Sequence, residues 1–202
     1  MAERGRPRRF DRAEALRRAM EVFWARGYEG TAMTDLTQAM GINSPSLYAA
    51  FGCKEALFLE ALALYEAGDG GTASRALDDG PTARQAIEAM LRQNAAAYTT
   101  PSQPPGCMIV LASAAGIPAS EAVRAYLVSS GQRGVARVKD RLDRGIRDGD
   151  VPAGTDTAAM ASFYATILNG LTIQVRHGAD CPALNAVIDS AMACWPALAT
   201  PR

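Results

Sequence analysis

The stretch GTAMTDLTQAMGINSPSLYAAFGCKEAL, residues 30–57, contains two very short helical patterns on either side of Gly41 and the start of a third. Apolar residues recur at helical spacing over 33–40, before the glycine, and over 47–51, after it. Isolated helices shorter than about 12–15 residues are marginal in water. Neither short helix is therefore stable alone, and we expect both to pack against neighbouring helices.

The residues around the glycine predict a helix-turn-helix. Gly41 suits a turn with positive φ, which glycine adopts without steric cost. Asn43 is a good N-cap, and Pro45 is tolerated in the first helical turn. A capping-box-like start at Asp11 adds a further helix, so that three helices fall within residues 10–51. Short helices joined in this way are typical of DNA-binding units, in which one helix enters a major groove about 12 Å wide.

The rest of the chain also has helical patterns, and the predicted fold class is all-α with about nine helices, no strand and no internal repeat. The further helices are predicted from Lys54 to at least Tyr65, from Pro81 to about Tyr98, over 107–115, from Ser120 to about Arg147, over 155–177 and over 182–198. Residues 68–81, rich in Gly and Asp, are predicted to form a loop.

Charge is distributed unevenly along the 202 residues, although the formal net charge is zero. Residues 1–18 carry seven arginines and three acidic residues, a balance of 7 − 3 = +4. Residues 59–202 carry twelve basic and fourteen acidic residues, a balance of 12 − 14 = −2. A basic arm on a slightly acidic body attracts phosphate at one end of the molecule. The alternative is a solubilising tail with no partner.

Residue types exclude several classes of protein. His177 is the single histidine, which excludes His-based zinc sites and His-dependent catalytic triads. We therefore predict no enzymatic activity, no metal and no cofactor. The longest apolar run, 108–119, is shorter than the roughly 20 residues of a membrane span, and no apolar stretch follows Arg8-Arg9-Phe10, as an export signal requires. We predict a cytoplasmic protein without membrane contact, whose four cysteines are free thiols.

Residues 27–57, GYEGTAMTDLTQAMGINSPSLYAAFGCKEAL, resemble the DNA-binding segment of TetR-family transcriptional regulators. The resemblance extends over roughly residues 10–65, and LNGLTIQVRHGAD (168–180) and PPGCMIVLASA (104–114) are similar to ligand-domain segments of one branch of the family. It implies a homodimer on a palindromic operator in double-stranded DNA. The implied domains are a DNA-binding head over 1–54, with the basic arm, and an effector-binding and dimerisation domain over 55–202.

Carried over by position, the resemblance implies DNA contacts on the head. Tyr48 and Lys54 would contact phosphate, and three small polar residues would face bases. The expected DNA-contacting residues are Thr31, Thr34, Asn43, Ser44, Pro45, Ser46, Tyr48, Lys54 and, on the arm, Arg8 and Arg9. Tyr48 could instead be a core tyrosine with a solvated hydroxyl. Ala32 stands where the family usually has a capping Ser or Thr, so we expect a weak cap there.

The C-terminal part offers candidates for an effector pocket and for a dimer interface. The candidate pocket residues are Met90, Asn94, Tyr98, Cys107, Met108, Tyr126, Phe163, Tyr164 and Ile167. The candidate dimer residues form two stripes, Leu168, Leu171, Val175, Leu184, Val187, Ile188, Ala191 and Trp195. For both sets the alternative is the protomer's own core, because any bundle needs apolar side chains at helical spacing.

Cys107 is a separate hypothesis, because it follows Pro104-Pro105-Gly106 at the start of a helix, where the helix dipole favours a thiolate. It could react with electrophiles or oxidants, as could Cys53 before Lys54, or it could simply be a small buried residue. We therefore predict a one-component repressor, released from DNA by a small-molecule or thiol-reactive effector. The alternatives are a helical enzyme or metalloprotein, and a dimeric binding module whose helix-turn-helix has become structural.

Overall fold

The computed structural model describes residues 11–115 and 120–201, with the backbone alone at residues 72–74. In this described part all regular structure is helical, which confirms the all-α prediction. The helices are α1 (Arg12–Arg26), α2 (Met33–Met40), α3 (Ser44–Phe51), α4 (Lys54–Ala67), α5 (Thr72–Asp79), α6 (Ala83–Tyr98), α7 (Met108–Ala114), α8 (Glu121–Asp148), α9 (Thr157–Arg176), α10 (Cys181–Ala193) and α11 (Trp195–Leu198). These eleven helices exceed the predicted nine by two.

The first additional helix is α5, which lies in the stretch 68–81 that we predicted as a loop. Its Ala76 and Leu77 are buried in the core of the C-terminal part of the chain. Nη2 of Arg144, from α8, donates to the carbonyl oxygens of Leu77 at 3.0 Å and Asp78 at 3.3 Å, which the end of a helix leaves without partners. Burial and capping by a distant helix therefore overcome a weak local propensity.

The second additional helix arises because the predicted helix 182–198 is interrupted. α10 ends at Ala193, and a single turn, α11, resumes at Trp195. Pro196 has no backbone N–H and cannot donate to the carbonyl of Met192, as a continuous helix would require. The break therefore follows from the covalent structure of proline.

The chain packs as two compact units that divide between Leu64 and Tyr65, inside α4. The division of function at 54/55 stays a prediction. The compact units divide later in the sequence because the first turns of α4 belong to the core of the first unit, which we call the head. There Phe58 and Phe23 are buried with ring centroids 4.9 Å apart. The second unit, residues 65–202, has its own core, built mainly from α6, α8, α9 and α10.

The predicted dimer stripes lie mostly inside the core of the second unit, so this interpretation needs correction. Six of the eight residues are buried within the protomer, namely Leu171, Val175, Leu184, Ile188, Ala191 and Trp195. Leu168 is partly buried, and Val187 is 39% exposed. The apolar stripes of α9 and α10 close the protomer's own core, which was the alternative interpretation of the pattern. The outward faces of both helices carry small residues instead.

Helix α9 is long and apolar enough to cross a membrane by length and composition, with a mean hydropathy of 1.2 over its most apolar window. Its Tyr164 and Leu171, however, are fully buried against other helices of the second unit. Core helices meet the same criterion, and 39% of this apolar stretch is buried inside the protein.

Candidate functional sites: a helix-turn-helix and a ligand cavity

The turn between α2 and α3 has the geometry that the sequence predicts. Gly41 ends α2 in the left-handed region, with φ 68° and ψ 31°. Its N–H donates to the carbonyl of Gln38 at 3.3 Å, and that of Ile42 donates to Thr37 at 3.1 Å. Residues with a Cβ disfavour this conformation, so glycine sets the angle at which α3 leaves the turn.

The first turn of α3 presents small polar groups to solvent. The side-chain oxygen of Asn43 caps the helix by accepting from the N–H of Ser46 at 2.9 Å. Ser44 and Pro45 are exposed, and Tyr48, one turn later, is 50% exposed. Leu47, on the opposite side, is fully buried. Tyr48 is therefore not a core residue, and α3 is anchored by one face while the other is free for a partner.

The Asn43 cap supports a prediction about the head. In Asn43→Ala the N–H of Ser46 loses its acceptor, so the free energy of unfolding of the head should fall by about 0.5–2 kcal/mol. Urea unfolding of the full chain without DNA, followed by circular dichroism, measures this change. Asn43→Ser keeps a capping oxygen and is the control; equal losses in both variants would show that the cap contributes nothing.

Three other residues predicted to contact DNA lie in different environments from one another. Thr31 is only 1% exposed, and its hydroxyl donates to the carbonyl of Gly27 at 2.6 Å. Its role is therefore to hold the turn before α2, which corrects the predicted side-chain contact with DNA. Thr34 is exposed on α2. Lys54 opens α4, with Nζ 4.4 Å from the centre of the Tyr28 ring, a cation–π contact that fixes its direction.

Ala32 lacks a side-chain cap for α2, as its residue type predicts. The carboxylate of Asp35 compensates by accepting from the N–H of Ala32 at 2.9 Å, and it also pairs with Arg26 at 2.8 Å. The Ala32 N–H and then Arg26 lower the pKa of Asp35. The start of α2 is thus stabilised by the Asp35 side chain and its pair with Arg26 of α1, and not by a capping side chain at residue 32.

Part of the predicted basic arm is neutralised inside the head. Arg17 and Arg18 both pair with Glu14 at 2.8 Å, and their hydrogen bonds lower the pKa of Glu14 to about 2. Arg12 pairs with Glu60 at 2.7 Å and lies over the Phe51 ring. These arginines brace α1, and the predicted contacts of Arg8 and Arg9 fall outside the described residues.

The second unit contains a cavity of about 520 Å³, within the range of small-molecule sites. Four of the nine predicted pocket residues line it: Met90, Asn94, Tyr98 and Cys107. Asn94 is only 8% exposed, and its amide nitrogen donates to the carbonyl of Met90 at 2.8 Å.

The other five predicted pocket residues do not line the cavity, which corrects that part of the prediction. Met108 and Tyr164 are fully buried, and the Tyr164 hydroxyl donates a hydrogen bond to the carbonyl of Ala191 at 3.3 Å. Phe163 and Ile167 pack against the core. Tyr126 does not line the cavity itself, but its hydroxyl donates a hydrogen bond to Glu66, which does.

The cavity lining includes a cysteine and two tyrosines. Cys107, Tyr65 and Tyr98 all line the cavity, and the thiol contributes to the electrostatics of both hydroxyls. Burial, and then the neighbouring thiol, raise the pKa of both tyrosines, so both stay protonated and able to donate. The N–H of Cys107 donates to the hydroxyl of Thr172 at 3.3 Å, which fixes the backbone beside the thiol.

The glycine before this cysteine has a packing role. Gly106 has φ +86°, and a Cβ there would lie 2.9 Å from a methyl carbon of Thr172 and 3.2 Å from its carbonyl oxygen. Only glycine allows the 104–106 turn to approach α9 this closely. This close approach places Cys107 in the lining of the cavity.

A polar part of the cavity lining comes from α8, and it is not among the residues predicted from the sequence. Glu66, at the end of α4, accepts hydrogen bonds from the side chains of Tyr126, Ser130 and Arg133. Ser130, Arg133 and Arg137 line the cavity. Their spacing of three and four residues was a usable signal, because it places them on one face of the helix. Apolar periodicity alone does not indicate a polar cavity wall of this kind.

In the described part of the chain, no group of three His, Cys, Asp or Glu side chains is arranged to hold a metal ion.

Comparison with known proteins finds a family model that matches part of each unit. Residues 15–61 match the family model for bacterial regulatory proteins of the tetR family, and residues 81–191 match the tetracyclin repressor-like C-terminal domain. The chain belongs to the TetR family.

Relatives across the full length agree with this membership. The HTH-type transcriptional repressor ComR of Escherichia coli (strain K12) is 30% identical over 196 residues, which cover 96% of this chain and 93% of ComR. The uncharacterized regulator YezE of Bacillus subtilis (strain 168) is 29% identical, covering 92% of this chain and 96% of YezE.

A solved structure of a TetR-family regulator, CifR, in a cysteine-mutant form complexed with 26-base-pair operator DNA, is 47% identical. It covers 95% of this chain and all of the CifR chain, with a TM-score of 0.90. This chain is thus a TetR-family transcriptional regulator with a helix-turn-helix head.

Proposed function

We propose that this TetR-family protein is a cytoplasmic repressor that binds a palindromic operator as a homodimer and is released by an effector in its cavity. The single observation that carries the DNA-binding part is the free face of α3, where Ser44, Pro45 and the half-exposed Tyr48 follow a capped turn. Such a face fits a major groove, while Lys54 and Tyr48 are suited to phosphate. ComR, a repressor by name, supports the direction of regulation.

We assign the dimer interface to the outward faces of α9 and α10. Small residues such as Ala159, Ser162, Ala183 and Ala186 are exposed there, next to Val187. Small side chains let helices of two protomers approach closely, and Val187 adds an exposed apolar side chain to this surface. A two-fold dimer would carry two copies of α3 and so match two half-sites. We infer a regulatory and not a catalytic role.

Fluorescence anisotropy of labelled duplex DNA against rising salt tests DNA binding by the full chain. Phosphate contacts release counterions, so the logarithm of the affinity should fall linearly with that of the salt concentration. Tyr48→Ala should weaken binding at every salt concentration. An affinity for DNA that does not change with salt would contradict the proposal and favour a structural helix-turn-helix.

We propose that an electrophile can also act covalently, at Cys107. The favouring observation is that Tyr65 and Tyr98 flank the thiol inside the same cavity. With an α,β-unsaturated carbonyl compound, the sulfur–carbon bond forms at the β carbon and the alkene electrons shift toward the carbonyl oxygen. A tyrosine hydroxyl holds the resulting oxyanion, and the thiol proton completes an addition without a leaving group.

The expected result is that one equivalent of N-ethylmaleimide releases the wild-type protein from DNA while Cys107→Ser stays bound. Mass spectrometry of peptides should locate the adduct at Cys107, and anisotropy should report release. Cys53→Ser removes an exposed thiol on the head and is the matched control, which should still be released. Equal release of the wild type and Cys107→Ser would eliminate the covalent route and leave reversible binding.

A further inference from the structure

Two glycines inside α8 leave open space on the cavity wall. Gly131 and Gly134 line the cavity, and a Cβ built on either would meet no described heavy atom within 4 Å. Gly145 of the same helix is different, because a Cβ there would lie 2.3 Å from Oδ1 of Asp150. Glycine weakens a helix interior relative to alanine. Packing among the described residues explains Gly145 but not the two cavity glycines.

Two arginines are close to these glycines in the sequence. Arg133 and Arg137 are four residues apart on α8, so their side chains leave the helix on one face, and Gly134 lies one turn before Arg137. Glu66, the acidic residue among those that line the cavity, pairs with Arg133 at 3.1 Å, so Arg137 carries the positive charge that the lining itself does not balance. Arg137 pairs with the exposed Asp78 at 2.9 Å, an ion pair that water weakens.

The rest of the lining is suited to an apolar chain with few polar atoms. Leu77, Met90, Val138 and Leu168 contribute apolar surface. A ligand that is only charged would leave this surface in contact with water, and a ligand that is only apolar would leave the positive wall unused. The cavity therefore combines one cationic notch with an apolar body.

We propose that the cavity binds an amphipathic carboxylic acid, with its carboxylate in the notch formed by Arg133, Gly134 and Arg137. Guanidinium groups bind carboxylates with paired, charge-assisted hydrogen bonds, and the missing side chain at Gly134 gives the carboxylate access to them. The hydrocarbon chain covers Met90, Val138 and Leu168. This assignment names the class of effector and rests on the proposed function for its regulatory meaning.

Isothermal titration of the full-length protein with octanoate and with 1-octanol, at pH 7.5, tests the proposal directly. The two probes share a chain length and differ in charge. Octanoate should bind about tenfold more tightly than the alcohol, and added salt should weaken octanoate binding alone. Arg137→Gln should reduce octanoate affinity several-fold and leave octanol binding unchanged. Arg124→Gln, which removes an arginine of α8 outside the cavity, is the charge control and should bind both probes normally.

Gly134→Leu provides a second, independent readout. Because nothing surrounds the Cβ position, the variant should fold and melt at or above the wild-type temperature while losing octanoate binding. Equal affinity for acid and alcohol, no binding of either probe, or unchanged binding in Arg137→Gln would each overturn the proposal. Operator binding by the wild-type protein, measured without probes, separates the two proposals. Failure to bind operator DNA would contradict the proposed function, whereas the comparison of octanoate with octanol decides the class of ligand.

Discussion

Replacing Asp150 with alanine should lower the free energy of unfolding of the second unit by about 3–5 kcal/mol. Arg141 is 4% exposed, and its Nε and Nη1 are buried without a hydrogen-bond partner among the described residues. Nη2 donates to the carbonyl of Gly80 at 3.1 Å, and it lies 3.8 Å from Oδ2 of Asp150. Burial lowers the pKa of Arg141, while the Asp150 carboxylate opposes that shift. Without the Asp150 carboxylate, the buried guanidinium loses its ion-pair partner.

Asp150 has a second role that the same substitution removes. Its Oδ2 accepts from the N–H of Ala83, in the first turn of α6, at 2.7 Å. Chemical unfolding with a probe in the second unit measures the total loss. Asp148→Ala, two residues away and exposed, should stay within about 0.5 kcal/mol of the wild type. Arg141→Met combined with Asp150→Asn should recover much of the stability, because it removes both charges. If the chemical unfolding curve of Asp150→Ala matches that of the wild type, then Arg141 does not depend on the Asp150 carboxylate, and water solvates it.

Replacing Phe23 with alanine should unfold most of the head's core, at a loss of about 3–5 kcal/mol. Phe23 is 1% exposed, and its ring meets that of Phe58 edge-on, with Tyr28 stacked at 6.3 Å. A unit of this size has little stability to spare. We therefore expect operator binding to be lost while the core of residues 65–202 stays folded.

Hydrogen exchange of the full chain separates these effects, since protection should fall in α1 to α3 and persist in α6 and α9. Tyr48→Ala is the matched control, because the side chain is half exposed. It should weaken DNA binding with a stability change of no more than about 0.5 kcal/mol. Wild-type protection in the head of Phe23→Ala would contradict the assignment of Phe23 to its core.

Local signals explain why the helix-turn-helix could be predicted from sequence. The left-handed turn needs a residue that tolerates positive φ, which Gly41 supplies. Asn43 caps the following helix, and Leu47 and Phe51 mark its buried face. Each of these effects acts within a few residues, so the sequence order carries it. The structure reproduces the turn, the cap and the exposed side of α3 at the predicted positions.

Long-range contacts explain most of what the sequence analysis missed. Helix α5 depends on the burial of Leu77 and on a cap from Arg144, which follows far along the chain. Thr31 is polar, and its burial follows from a hydrogen bond to Gly27 that its residue type does not predict. Leu171 has the same periodicity whether it faces a partner protomer or its own core, so periodicity alone could not assign it.

The cavity was only partly predictable for a similar reason. Apolar periodicity located Met90, and the turn before Cys107 located the thiol. Arg133 and Gly134 of α8 are typical of a solvated helix face, and they become part of a site only when Glu66 and α9 come near. Which polar residues line a cavity is decided by tertiary packing.

Selection of operator sequences from a genomic DNA library by the purified protein, at about 0.15 M salt, tests the central claim most directly. A dimeric repressor that reads DNA through α3 should enrich a palindrome, with half-site centres about 10–10.5 base pairs apart or a multiple of that spacing. If the folded protein enriches no sequence, or enriches one without two-fold symmetry, then the head does not read an operator as a symmetric dimer.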